Sequence, residues 1–320
     1  MRRLSLFTLI FIMLVGLYWL LEGRGGKNTV REPNHLLTGF KPANVDRINI
    51  TCSDSDPIVL QRTNEGWQVT ADRGASYPAD SSAVQILFES LTELKTNSLV
   101  SRKPARHALY EVSPETGLYV EALDREKHTL AEVLIGKSGP NIFSTYVRTT
   151  ESDAVYLVDG ILQNTASKTL NEWRDKSIFS LDPENVHAYT VHGDCSLALR
   201  KNDTVWLTEP ENTPVDTGAV TKLMHRFAGL SAVDFAKGTL EEFALNEPAR
   251  TITAEFADKK LATLLLGADA NAFQQYAKRS DSDTIYIIEK HLVNMLCPTI
   301  EELNTPKPAE ALPAETQPLK

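Results

Sequence analysis

The stretch Pro78-Ala79-Asp80, which runs into Ala83-Val84, returns later in the chain as Pro214-Val215-Asp216, running into Ala219-Val220. Other landmarks recur in the same order: Asn44-Val45 with Asn185-Val186, Leu60 with Leu199, Trp67 with Trp206, Ile135-Gly136 with Leu266-Gly267, Tyr146 with Tyr276, and Val155-Tyr156-Leu157-Val158 with Ile285-Tyr286-Ile287-Ile288. An ordered series of this kind indicates a long-period internal repeat. The sequence therefore predicts two related units, residues 44–165 and 185–300, joined by a partly ordered connector at residues 166–184.

Each predicted unit begins with short β-prone runs, such as Ile48-Asn49-Ile50 and Ile58-Val59-Leu60, separated by turn residues. Asp80 is then placed as a helix N-cap. Apolar residues follow both N-cap positions at helical spacing: Val84, Leu87, Phe88, Leu91 and Leu94 in the first copy, and Val220, Leu223, Met224, Phe227 and Leu230 in the second. About four further strands complete each unit. This order favours an α+β fold with antiparallel sheets, since a parallel sheet requires alternating strands and helices.

The composition limits the function classes that the chain can belong to. Its 320 residues carry a formal net charge of −9, which argues against a nucleic-acid surface because that requires a basic face. With 42% hydrophobic residues, 16 glycines, 16 prolines and three cysteines, the chain is neither collagen-like, nor a disulfide scaffold, nor wholly disordered. The length suits about two domains.

The N-terminus departs from this average composition. Residues 4–21 contain no charged side chain, and a helix of that length reaches about 27 Å, close to the thickness of a bilayer core. A cleaved signal peptide is the alternative, but residues 16–27 contain no A-x-A-like cleavage site. We therefore expect a transmembrane signal anchor at 1–21 and a stalk at 22–43. Arg2 and Arg3 predict a single-pass protein of the bacterial inner membrane, with a cytoplasmic N-terminus and the remaining chain in the periplasm.

At the other end of the chain, residues 301–320 are rich in Pro, Ala and Glu and predict a disordered tail.

Several short stretches of the sequence resemble those of the DUF4340 family of bacterial proteins. The resemblance rests on Trp67, Tyr77-Pro78-Ala79-Asp80, Ile135-Gly136, Tyr146-Val147-Arg148, Val155-Tyr156-Leu157-Val158 and Trp173-Arg174-Asp175-Lys176. The usual Tyr-Gly-Leu of such proteins is present only loosely, as Leu109-Tyr110-Glu111-Val112. The resemblance implies a single-anchor extracytoplasmic protein, often beside gliding-motility-type ABC transporter components, and it supplies no active site.

A search for chemistry-bearing motifs gives no nucleophile elbow, phosphate loop or H-E-x-x-H pair. His192-Gly193-Asp194-Cys195 places an imidazole, a carboxylate and a thiol close together, in a stretch that we interpret as a solvated turn; a metal or Cys–His site is the alternative. Three cysteines permit at most one disulfide, and the sequence does not decide whether Cys52, Cys195 or Cys297 pair. We therefore expect no enzymatic activity, no cofactor and no metal.

Arg148 and Lys278 follow Tyr146 and Tyr276 in matching strands, and these four residues are predicted contacts with a partner on equivalent surfaces. An exposed strand end is the plainer interpretation. The leading hypothesis for function is a membrane-anchored, non-catalytic binding or scaffolding module, an accessory of an ABC-type transporter or of another cell-envelope complex. The alternatives are a periplasmic ligand-binding protein with a cleft between the repeats, and an envelope hydrolase that uses the His192–Cys195 stretch.

Overall fold

The computed structural model describes residues 35–53, 55–71 and 74–304. The chain divides into two compact units, unit 1 up to Lys168 and unit 2 from Thr169. The predicted anchor at 1–21, most of the stalk and the tail beyond residue 304 lie outside the described residues. Within the described ranges, no helix combines the length and the apolar character needed to cross a bilayer.

Unit 1 is built around one nine-stranded sheet. Its strands are β1 (Arg47–Cys52), β2 (Ser55–Thr63), β3 (Gly66–Ala71), β4 (Ser76–Pro78), β5 (Thr96–Ser101), β6 (Leu118–Leu123), β7 (Thr129–Ser138), β8 (Ser144–Thr149) and β9 (Val155–Asp159), and its helices are α1 (Ser81–Thr92) and α2 (Leu162–Ala166). The strand order is β4-β3-β2-β1-β6-β7-β8-β9-β5. All of the pairings are antiparallel, as the sequence predicts.

Helix α1 begins where the sequence predicts and buries the predicted stripe. The Asp80 carboxylate accepts hydrogen bonds from the backbone N–H groups of Ser82 and Ala83, at 2.8 and 3.2 Å. This cap satisfies two of the backbone donors that a helix start leaves free. The stripe residues that follow are all less than 5% exposed, in agreement with the helical spacing: Val84, Leu87, Phe88, Leu91 and Leu94.

Unit 2 has its own nine-stranded sheet, in the order β13-β12-β11-β10-β15-β16-β17-β18-β14. Its strands are β10 (Val186–Gly193), β11 (Leu197–Asn202), β12 (Val205–Thr208), β13 (Pro214–Val215), β14 (Asp234–Ala236), β15 (Arg250–Phe256), β16 (Leu261–Asp269), β17 (Gln274–Arg279) and β18 (Ile285–Glu289), and its helices are α3 (Leu170–Trp173), α4 (Thr217–Ala228), α5 (Lys290–Asn294) and α6 (Ile300–Asn304). Every strand of unit 1 has a counterpart at the same place in this order. The two sheets therefore confirm a tandem repeat of one antiparallel α+β architecture.

The core of unit 2 lies between α4 and one face of its sheet. Val220, Leu223 and Phe227 of the helix join Leu264 and Leu266 of β16 in one buried cluster. Asp216 caps α4 by accepting the N–H of Ala219 at 2.6 Å. Because successive strand residues point to opposite faces, Leu265 lies on the other side of the sheet.

That other face is covered in each unit by an irregular segment, which we call the covering loop: residues 104–116 in unit 1 and 238–249 in unit 2. In unit 1, Val112 of the loop packs with Leu134 and Val155. In unit 2, Leu245 of the loop packs with Ile285 and Leu265. Each sheet is thus covered by a helix on one face and by a covering loop over part of the other.

Several domain boundaries differ from the prediction. Residues 35–43, predicted as stalk, pack onto unit 1, where the N–H of Leu36 bonds to the carbonyl of Leu94 at 2.7 Å and the Phe40 ring lies 6.5 Å from that of Phe88. Residues 301–304 are helical rather than part of a tail. In the predicted connector, Ile178 and Phe179 are buried in the core of unit 2.

The strands β4, β5, β13 and β14 were not predicted: β4, β13 and β14 have only two or three residues, and β5 is mostly exposed and shows no alternation of buried and exposed positions.

Candidate functional site

The two cations of the matching strands are buried. Arg148 is 7% exposed and Lys278 is 8% exposed. This corrects the expectation that they lie on equivalent surfaces or at exposed strand ends. Both side chains point to the face of their sheet that the covering loop contacts. Arg148 bonds to Val112 of that loop, and Ala277, the neighbour of Lys278, belongs to the core cluster on the opposite, helix-bearing face.

Arg148 holds the covering loop of unit 1 to the sheet. Its Nε donates to the carbonyl of Val112 at 3.0 Å, and its Nη1 donates to the carbonyls of Thr149 and Ser152, each at 3.2 Å. Burial lowers the pKa of the guanidinium, and the charge of Asp153 opposes that change. An arginine stays protonated in proteins, so a full positive charge is fixed inside unit 1.

Lys278 has fewer partners at the equivalent position. Its Nζ donates to the carbonyl of Arg279 at 3.3 Å and lies 4.0 Å from a carboxylate oxygen of the exposed Asp283. The repeat therefore conserves a buried positive charge, but only unit 1 supplies a planar guanidinium.

The two predicted tyrosines are half-buried and contact the covering loops. The ring of Tyr146 lies 4.8 Å from that of Tyr110, and the ring of Tyr276 lies 4.2 Å from that of Phe243. Ring pairs at these separations stabilise a packed structure beyond the area that they bury. The contacts are internal to each unit, which explains why both tyrosines recur in the repeat.

A cavity of about 410 Å³ lies beside Arg148. It is lined by Thr51, Ser53, Pro114, Gly117, Tyr119, Leu134, Arg148 and Thr150. The Tyr119 hydroxyl donates to a carboxylate oxygen of Glu132 at 2.8 Å, and the Thr150 hydroxyl donates to the other oxygen of the same carboxylate. Burial and the bond to Glu132 raise the pKa of Tyr119, so the phenol stays protonated.

A second cavity, of about 640 Å³, lies in unit 2 and includes Phe179, Arg279 and Asp281 in its lining. Its arginine already has a counter-ion, because Nε and Nη2 of Arg279 bind Asp281 at 2.8 and 2.6 Å while Nη1 donates to the carbonyl of Ile178. This arrangement accounts for the arginine as a structural group.

The covering loops turn at matching residues in the left-handed backbone region. Glu111 has φ 56° in unit 1, and Ala244 has φ 52° in unit 2. Glu111 stands where the resemblance expects the glycine of Tyr-Gly-Leu, and glycine adopts this conformation without the steric penalty of a Cβ atom.

We expect Glu111→Gly to raise the free energy of unfolding of unit 1 by about 0.5–1 kcal/mol, because it removes the Cβ atom from a left-handed position. Glu111→Ala is the matched control, since it shortens the side chain but keeps the Cβ atom. Urea denaturation of both variants checks the prediction. Equal stabilisation by the two substitutions would assign the effect to the lost carboxylate instead.

Both units present a phenylalanine at the tip of an equivalent hairpin. Phe143, between β7 and β8, is 65% exposed, and Phe273, between β16 and β17, is 80% exposed. The side chain of Asn141 accepts the N–H of Phe143 at 3.0 Å, and that of Asn271 accepts the N–H of Phe273 at 2.9 Å. The two carbonyls are also bonded alike, to the N–H of Gly160 and of Lys290. The same turn therefore holds an exposed ring in each copy.

The His192–Cys195 stretch is not a free reactive cluster. Cys195 forms a disulfide with Cys297. Arg250 donates two hydrogen bonds to the Asp194 carboxylate, at 2.6 and 2.9 Å, and holds the pKa of Asp194 below its ordinary value. The thiol and the carboxylate that motivated a hydrolase are thus both engaged in structural bonds, while Cys52 is a free cysteine.

One hairpin turn groups side chains that are able to bind a metal ion. Ligand atoms of Asp124, Glu126 and His128 lie within 4.8 Å of one another. The N–H and the ring of His128 bond to the Asp124 carboxylate at 2.8 and 3.1 Å, which accounts for the grouping without an ion. Because exposed acidic groups are common without a bound ion, we infer no metal site at this turn.

The two exposed phenylalanines and the cavity were not predicted from the sequence. The two copies share the pattern Asn-x-Phe, at residues 141–143 and 271–273, and this recurrence is the signal in the sequence for the two phenylalanines. The lining of the cavity comes from separate strands and from the covering loop, so no local pattern in the sequence predicts it.

Comparison with known proteins gives a match to one family. The model of the family described as "Domain of unknown function (DUF4340)" matches twice, at residues 67–237 and at residues 206–316. No curated protein matches the chain, and no solved structure matches it. The two family matches overlap at residues 206–237, and together they span residues 67–316, which is most of the chain. The chain belongs to the DUF4340 family.

Proposed function

We propose that this protein is a membrane-anchored, non-catalytic binding or scaffolding module that acts outside the cytoplasm, as an accessory of an ABC-type transporter or of another cell-envelope complex. The observation that carries the binding role is the pair of exposed phenylalanines, Phe143 and Phe273, each held by the same hydrogen bonds at the tip of an equivalent hairpin.

A single exposed apolar side chain is ordinary on a protein surface. Here the same ring is exposed at the same turn in both copies, although most of the surrounding sequence has diverged. In unit 1 the neighbouring Ile142 is also 70% exposed, which enlarges the apolar tip. Large aromatic side chains supply much of the binding energy at protein interfaces. The two tips therefore suit contacts with protein partners.

Two further features support an extracytoplasmic location. The Cys195–Cys297 disulfide is of a kind that persists in oxidising compartments and is rare in the cytosol. The uncharged stretch at residues 4–21, with Arg2 and Arg3 before it, is typical of an anchor that leaves the rest of the chain outside.

The test compares co-purification of membrane-complex subunits with the wild-type chain and with the double variant Phe143→Ser/Phe273→Ser, both extracted in mild detergent. We expect the double variant to recover permease or ATPase subunits at least about tenfold less well, as the loss of an interface aromatic implies. Because both rings are exposed, the variant should keep its fold.

The matched control is Leu261→Ser, which removes an apolar side chain that is 63% exposed elsewhere on unit 2. Its recovery of partners should equal that of the wild type. A wild-type protein that recovers no membrane-complex subunit would count against the proposal, and so would a double variant that recovers them fully.

A further inference from the structure

We infer that the cavity beside Arg148 in unit 1 is a binding site for a carboxylate that carries a short apolar group. The cavity volume of about 410 Å³ lies within the range of sites for small ligands. It lies at the end of β8 opposite to Phe143, so this inference is independent of the docking role proposed above.

Arg148 has more hydrogen-bond donors than its partners in unit 1 use. A guanidinium has five N–H donors. One on Nε and two on Nη1 are given to the carbonyls of Val112, Thr149 and Ser152. Within the described part of the chain, no group accepts a hydrogen bond from Nη2. A side chain that is more than nine-tenths buried thus keeps two donors unused beside a cavity that it lines.

Among the described residues, those donors have no close counter-ion. The Asp153 carboxylate influences the guanidinium electrostatically but forms no ion pair with it among the described residues. The nearby Glu132 carboxylate is already bonded by Tyr119 and Thr150. A buried positive charge without a close counter-ion favours an anionic ligand, because burial of an unpaired charge is costly.

The lining of the cavity combines an apolar side with polar groups. Pro114, Leu134 and the Tyr119 ring give it an apolar side, while Thr51, Ser53 and Thr150 place hydroxyl-bearing residues around it. A carboxylate at Arg148 would exchange water for charge-assisted hydrogen bonds, and a small apolar group would pack on the ring and on Leu134. This combination fits a carboxylate with an apolar substituent better than a bare inorganic anion.

The repeat supplies a natural comparison. At the equivalent position unit 2 has Lys278, a point charge that cannot present a planar, forked set of donors. Arg148→Lys therefore reproduces the residue of unit 2 in unit 1 while keeping the buried charge, and it is the sharpest test of the site.

The experiment titrates the full chain into 4-fluorobenzoate and follows broadening of the ligand signal by fluorine NMR. We expect wild-type protein to bind with a dissociation constant of about millimolar or tighter. Arg148→Lys should weaken binding by at least about tenfold, because it removes the free Nη2 donors. The neutral isostere 4-fluorobenzamide should not bind, and Lys278→Met, in unit 2, should bind 4-fluorobenzoate like the wild type.

A second variant keeps the test decisive if Arg148→Lys does not fold, which circular dichroism would show. Thr51 is an exposed residue of β1 that lines the cavity, so Thr51→Trp should obstruct the cavity and abolish binding without disturbing the core. The inference is overturned if wild-type protein does not broaden the signal, or if either variant, when folded, binds 4-fluorobenzoate as tightly as the wild type.

Competition experiments then distinguish two kinds of ligand that carry a carboxylate and an apolar group: peptide C-termini and free small acids. A short peptide that ends in phenylalanine with a free carboxylate should displace 4-fluorobenzoate if the site takes peptide C-termini, and its C-terminal amide should not. Displacement by unlabelled benzoate but not by the peptide would assign the site to free small acids. Failure of both to displace the probe would overturn the inference.

Discussion

Gly267→Ala is expected to lower the free energy of unfolding of unit 2 by about 2–4 kcal/mol, because the new Cβ atom overpacks a closed contact. A Cβ atom at this position would lie 2.1 Å from the carbonyl oxygen of Phe243 in the covering loop. That oxygen already accepts a hydrogen bond from the N–H of Ala268 at 2.8 Å, so the loop cannot retreat without breaking the bond. Two atoms of the Leu245 side chain, at 3.0 and 3.1 Å, close the remaining space.

Hydrogen–deuterium exchange resolved by peptide is the measurement of choice, since it reports the stability of each unit separately. Protection of β15 and β16 should fall, while β6 and β7 in unit 1 should exchange as in the wild type. Gly218→Ala is the control in the same unit, because it adds a Cβ atom away from the covering loop: its nearest contact, at 3.2 Å, is the Asp216 oxygen that caps α4, and alanine favours the helix. Unchanged protection of β15 and β16 in Gly267→Ala would show that the loop yields without cost.

Gly136 repeats this arrangement in unit 1, where a Cβ atom would lie 2.1 Å from the carbonyl oxygen of Tyr110. The glycine that recurs in the repeat is therefore explained by close approach of the covering loop to the sheet, rather than by a turn.

Loss of the Cys195–Cys297 disulfide is expected to have an effect at least as large. The two cysteines are 102 residues apart, and the loop-entropy treatment gives about 4–5 kcal/mol for a closed loop of that length. The bond ties the segment after β10 to the C-terminal segment of unit 2. The C-terminal segment is also held by the Tyr189 hydroxyl, which donates to the carbonyl of Leu296 at 2.6 Å.

The double variant Cys195→Ser/Cys297→Ser should therefore unfold at a lower urea concentration than the wild type. Reduction with dithiothreitol should have the same effect on the wild type and none on the variant. Cys52→Ser is the matched control, because Cys52 is the free cysteine, and it should leave unit 2 unchanged. Equal stability of the oxidised and the fully reduced wild type, with reduction verified by thiol titration, would contradict the prediction.

Those parts of the fold that depend on periodic patterns were predictable from the sequence. The helix stripes, the Asp80 cap and the central hairpins follow from residue spacing and from local hydrogen bonding. The repeat strengthened these predictions, because the same patterns occur in both copies. The covering loops were not predictable, since their few buried residues, such as Val112 and Leu245, show no period. Their tight packing was visible only indirectly, in the recurrence of Gly136 and Gly267.

The candidate site was predictable only in part. Recurrence drew attention to Arg148 and Lys278 as surface contacts, because charged residues are rarely buried and exposure was the natural expectation. Burial follows from the covering loop, whose carbonyl at Val112 accepts the Arg148 Nε bond. The pairing of Cys195 with Cys297 depends on where the C-terminal segment returns, which no local pattern of the sequence contains.

The strand order described above also sets the expected order of folding. Within the groups β1 to β4 and β6 to β9, each strand pairs with the strand that follows it in the sequence. The loops that these pairings close are short, so each group should form quickly. The pairing of β1 with β6 joins residues far apart, as in the Asn49–Glu121 contact across 72 positions. Closing a long loop costs conformational entropy before the new contacts stabilise the chain. We therefore expect the pairing of β1 with β6, and its counterpart β10 with β15 in unit 2, to form last and to set the folding rate of each unit.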